Sequence, residues 1–157
     1  NKALGNNTYS RTFNMSWLVN CSNLGLPQNA NFTVNGSGSF ANLTWTGTTA
    51  STGEMTFTGL ELSAPAYIGN GSYTYTGDIT GDLRRTDPTL TCEITLDLSN
   101  LTVTKSSSAI TGGNGTFELK ATASSGQSIT LTGTLVFNNN GAATLTINGH
   151  THTFQLS

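Results

Sequence analysis

Charge is what this sequence has least of. Six of its 157 residues are basic and eight are acidic, 9% together where about 25% is usual. A net charge of −2 with scattered bases leaves no electrostatic footprint for nucleic acid or anionic lipid. Long apolar runs are missing too: none approaches the roughly 18 residues that a membrane-crossing helix needs. Helical periodicity is absent, since no stretch keeps apolar positions at i, i+3, i+4 and i+7 without glycine or β-formers intervening. The two cysteines, Cys21 and Cys92, stand far apart with no CxxC and no surrounding histidines, which excludes a cysteine-based metal centre. No GxSxG, no phosphate-binding glycine loop and no singled-out carboxylate pair is present, so no catalytic chemistry and no cofactor are expected.

In place of charge stand Thr 29, Gly 18, Asn 17 and Ser 16, half of the chain. Leu, Ile, Val and Phe alternate with these polar residues, which argues for a folded chain and against disorder. Nine asparagines lie in Asn-x-Ser/Thr sequons: Asn6, Asn14, Asn20, Asn31, Asn35, Asn42, Asn70, Asn100 and Asn114. All precede residue 115. They point to a secreted, extracellular chain with covalent N-linked surface glycans, exported by a signal peptide since removed. In an oxidising compartment Cys21 and Cys92 are expected to form one long-range disulfide, the alternative being two buried thiols.

Period-2 alternation recurs along the chain and predicts about eleven strands, each with one apolar and one Thr-rich face. The clearest are Tyr9/Phe13/Met15/Trp17/Val19 and Leu90/Cys92/Ile94/Leu96/Leu98. Asn148-Gly149 reads as a two-residue type I′ hairpin, because both central residues need positive φ. Longer hairpins are expected at 138–141 and 112–115, and a charged loop at 84–88. The expected fold is all-β: an antiparallel β-sandwich of immunoglobulin-like or jelly-roll-like kind, with a closed barrel second.

Weaker constellations are also present. His150-x-His152 puts two imidazoles on one strand face, but no third ligand follows nearby, so two hydrated histidines are expected. Asp78 and Asp82 supply too few oxygens for calcium. Trp45, Tyr73 and Tyr75 would form a carbohydrate-stacking platform if exposed and coplanar, in a monomeric secreted binding or adhesin domain. A lipocalin-like barrel would instead need an empty internal cavity.

The N-terminal stretch TYSRTFNMSWLV is the most informative. Tyr9, Phe13, Met15, Trp17 and Val19 share one face, interrupted by Arg11, and a turn-rich hinge follows over 20–27. An extended tail with large apolar knobs is what strand donation to an open sheet edge requires. The plain alternative is the first strand of the chain's own sheet. With its Thr/Asn/Gly-rich body, dense sequons and few charges, the chain resembles subunits of archaeal cell-surface thread filaments, which are related to archaeal bundling pili and bacterial biofilm-matrix fibres. The resemblance implies a donor tail over 1–19 with Tyr9, Phe13, Met15 and Trp17 as knobs, and a β-sandwich body over 20–157. It implies a linear polymer of identical subunits joined by donor-strand insertion, serving adhesion or biofilm formation, with surface glycans or neighbouring filaments as further partners.

Overall fold

The structure, a computed structural model, describes residues 7–81, 88–139 and 141–156. It is all-β. Nine strands form one antiparallel sheet: β1 Thr8–Cys21, β2 Pro27–Ala41, β3 Trp45–Thr58, β4 Ala66–Gly81, β5 Thr89–Thr104, β6 Ile110–Ala123, β7 Ser128–Phe137, β8 Ala142–Ile147 and β9 His150–Gln155. Their spatial order is their chain order. Short connections join strands that then pair with each other, so the chain is a meander from end to end. Among the described residues β1 and β9 do not pair with one another, so the sheet is open and not a barrel. No second layer is formed by the described strands, and the sandwich is reached only as far as one antiparallel sheet.

β1 to β6 run 14–16 residues each, about 50 Å at the longest. Nine strands replace the expected eleven because glycines that read as punctuation lie inside strands. Gly36 and Gly38 are in β2, joining Phe32/Val34 to Phe40, and residues 112–115 are not a hairpin but part of β6. The hairpin before β6 is instead formed by residues 105–109, where Ser108 takes φ 54°. Asn148-Gly149 does form the two-residue connection, with φ of 49° and 80° and with Ile147 opposite His150. Before β8 the chain turns where expected, the Asn138 N–H donating to the Ala142 carbonyl at 2.8 Å. Residues 84–87 of the charged loop lie outside the described residues.

Register sorts the side chains into two unlike faces. One row crosses all nine strands as Trp17, Phe32, Met55, Gly71, Leu98, Gly115, Leu135, Leu145 and His152. The adjacent row on the other face reads Ser16, Thr33, Glu54, Ser72, Asp97, Thr116, Thr134, Thr146 and Thr151. Several glycines of the apolar face are covered by aromatic rings from the strand beside them. Phe57 lies over Gly69 and Trp45 over Gly81, where an added Cβ would come 2.7 Å from a ring carbon in each case. This cross-strand cover explains why glycines do not break these strands. Phe57 also meets Phe32 edge-on at 5.7 Å.

A single layer has no interior. Among the described residues the buried apolar side chains are Ala30, Leu101, Ala142 and Ala143, and no large side chain is fully buried. A compact chain of this mass exposes about 7,500 Å², whereas this one exposes 10708 Å².

Candidate functional surfaces: an exposed edge strand and an uncovered apolar face

β1 is the sheet's long free edge. Its whole length pairs antiparallel with β2 of the same chain: Tyr9 opposite Phe40, Phe13 opposite Gly36, Met15 opposite Val34, Trp17 opposite Phe32 and Val19 opposite Ala30. The five expected knobs are therefore on one face of one strand. They remain bare, with Tyr9 73%, Met15 65% and Trp17 67% exposed. The hairpin after β1 is held by Ser22, whose backbone N–H donates to the Leu26 carbonyl and whose Oγ accepts from the Leu24 and Leu26 N–H groups. Leu24 and Leu26 are themselves exposed.

The apolar face has little on it to hold water. Along its paired rows only Arg11, Thr49, Ser51, Cys92, His150 and His152 interrupt apolar or glycine positions. The strand-borne carboxylates Glu54, Asp78, Glu93, Asp97 and Glu118, together with Lys120, all project from the polar face. There Glu118 sits 2.6 Å from Lys120, and its hydrogen bond and charge hold the ammonium above its ordinary value. Exposed pairs of this kind contribute little to stability.

The sequons follow the same division. Asn14 and Asn35 are directly opposite each other on the polar face, and Asn20, Asn31, Asn70 and Asn114 share that face. Asn42 lies in the turn before β3, where its Oδ1 accepts from the Thr44 and Trp45 N–H groups. Asn100 takes φ 54° at a bulge in β5, and its N–H donates to Asn70 Oδ1 at 2.9 Å. Asn20 and Asn31 are half-buried and engaged, Asn20 Nδ2 donating to Asn29 Oδ1 and Asn31 Oδ1 accepting from Thr56 Oγ1. Asn6 lies outside the described residues. Sequence reasoning missed this common face, although the parity of each asparagine with its threonine neighbours carried the signal.

The other expected sites are dispersed. Cys21 and Cys92 are free thiols, which corrects the expected disulfide. Cys92 shares a row with Gly77, Thr49, Gly38 and Arg11. That row meets β1 ten residues from Cys21, about 30 Å along the strand, where a disulfide needs Cα atoms within about 7 Å. Trp45 stands opposite Gly81, six residues along β4 from Tyr75, or about 20 Å. Tyr73 and Tyr75 are half-buried, so the three rings form no common platform. His150 and His152 lie exposed on β9, opposite Ile147 and Leu145. Asp78 accepts a hydrogen bond from Thr91 Oγ1 at 2.7 Å, and Asp82 lies outside the described residues. Among the described residues no group of three or more His, Cys, Asp or Glu is placed to hold a metal ion. Nor is any helix there long and apolar enough to cross a membrane. No protein-family model, curated protein or solved structure is significantly similar to this chain.

Proposed function

We propose that the chain is a structural subunit of an extracellular glycosylated filament, joined head to tail by exchange of β1 and serving surface adhesion or biofilm formation. The observation that carries this reading is the state of β1: a 14-residue free edge, bare on its knob face and tied to its own chain through one ladder alone. In the exchanged form β1 leaves its own β2 and lies on β2 of the next subunit, so the acceptor is the outer edge of β2 and the residues opposite each knob are unchanged. The ladder lost equals the ladder gained, and the hinge over 22–26 supplies the change of direction. Because donor and acceptor are different surfaces, the contact is heterologous and does not close on itself, which generates an open polymer.

The full chain is expected to give a ladder of oligomers that withstands mild detergent and collapses on boiling. Deleting residues 1–19 should abolish the ladder. A ladder unchanged by the deletion removes the exchange reading.

The sequons support secretion, and their accessibility orders them. Mass-spectrometric peptide mapping of the secreted protein should find glycan at the exposed Asn14, Asn35, Asn70 and Asn114. Occupancy at the half-buried Asn20 and Asn31 should be several-fold lower, since the neighbouring strands restrict access to both side chains. Bare asparagines at all nine positions would leave the extracellular reading without its main support.

A further inference from the structure

We propose that two copies of this chain stack apolar face against apolar face, closing a two-layer β-sandwich that neither copy completes alone. This goes beyond the filament reading and rests on a different surface, the broad face of β2 to β8 in place of the edge at β1.

Area is the first argument. A domain of this size normally hides its apolar faces between layers, yet Trp45, Tyr67, Leu90 and Ile129 on this face are each more than a third exposed. The surface in excess of a compact chain is roughly 3,000 Å². If each of two copies covered only half of its excess, the interface would total about 3,000 Å², within the range of obligate homodimers.

Charge and shape then favour a second copy over other occupants. A binding partner of different chemistry is normally met by complementary charges or hydrogen-bonding groups, and this face offers almost none. Its one strand-borne cation among the described residues, Arg11, is on the edge strand, where a long side chain reaches the rim. A surface of this kind is complementary to itself. The face also alternates bulk with gaps: Gly36 and Gly38 border the hydroxyls of Ser51 and Thr49, and Gly77 has nothing nearer to a would-be Cβ than 3.6 Å. Tyr73 and Tyr75 flank this trough. A two-fold partner would bring its own ridges to such gaps, as the aligned packing of two twisted sheets requires. The strand-borne carboxylates and the ladder-paired sequons all point the other way, so neither charge nor glycan obstructs the stacking.

The two free thiols make the test possible on the unaltered chain, because Cys92 is on the apolar face and Cys21 is exposed near the end of β1. Native mass spectrometry at micromolar concentration should find a smallest persistent species of two chains, each 16.4 kDa before any glycan is added. With maleimide, Cys92 should react at least about tenfold more slowly than Cys21, and dilution below the dissociation constant should speed Cys92 severalfold, to the rate of a half-buried thiol. Leu96→Asp, in the middle of the face, should weaken the pair by at least tenfold. Since that variant can also unfold the chain, the labelling of the unaltered protein decides alone. A single-chain smallest species whose Cys92 reacts as fast as Cys21 overturns the proposal. So does a single chain with Cys92 protected, which would mean that the sheet folds over on itself. Protection that appears only with phosphatidylcholine vesicles would make lipid the occupant and overturns it as well. Failure of β1 exchange would leave the pair intact without longer species, whereas failure of stacking would leave a ladder that grows in single-chain steps.

Discussion

Gly71→Ala is expected to destabilise the sheet by about 3 kcal/mol or more, lowering the melting temperature by roughly 10 °C in a chain of this length. Gly77→Ala, six residues along the same strand and on the same face, should change it by no more than a degree or two. At Gly71 an added Cβ would strike the Glu54 carbonyl of β3 and stand 2.8 Å from the Met55 Cα. Both obstacles are backbone, so relief requires moving β3 away and breaking the ladder that pairs Met55 with Gly71. At Gly77 the nearest atom is the methyl of Thr49 at 3.6 Å, an ordinary contact. There alanine also narrows the freedom of the unfolded chain, which offsets part of any cost. Thermal unfolding of the two variants, followed by circular dichroism, checks the pair. Equal shifts would mean that β3 and β4 do not approach as closely as the register places them.

The contrast between those glycines also explains what the sequence could and could not disclose. Alternation over 9–19 and 90–98 disclosed strands and their faces, because side-chain parity is a local property of extended backbone. Asn148-Gly149 disclosed its hairpin because positive φ is a demand made by two residues alone. Gly36, Gly38 and the glycines of 112–115 misled, since a glycine inside a strand and a glycine in a turn look alike until the neighbouring strand is known. What keeps Gly69 and Gly81 in strands is Phe57 and Trp45 across the ladder, partners that only register reveals. The number of layers was hidden for a different reason. A strand with one apolar face states that the face needs cover, not whether the cover comes from its own chain. Pairing Cys21 with Cys92 rested on the compartment alone, and a meander in chain order keeps the two segments apart.

The ownership of β1 is the question with the largest consequence for assembly, and Ser16 and Thr33 offer a way to settle it. Their hydroxyl oxygens, on β1 and β2, lie 2.5 Å apart at directly opposite positions. Cysteines there meet the geometry of a cross-strand disulfide. In a chain carrying Ser16→Cys and Thr33→Cys, with Cys21→Ser and Cys92→Ser to remove competing thiols, the order of events should determine the product. Oxidation of dilute single chains ties β1 to its own β2, and no ladder should form afterwards at any concentration. Assembly under reducing conditions followed by oxidation places the β1 thiol of each subunit against the β2 thiol of the next. That product should run as a covalent ladder in boiling detergent and collapse to one band when a reducing thiol is added. The two samples have the same sequence and the same number of disulfides, so a difference between them arises only from which chain β1 pairs with. A locked chain that still assembles as fully as the reduced one would place polymer growth elsewhere, at the β9 edge or the apolar face, and end the exchange mechanism. Arrest of the locked chain alone would leave β1 as the joint of the filament, with an exchange energy set by the hinge, since the ladder on β2 is the same in both states.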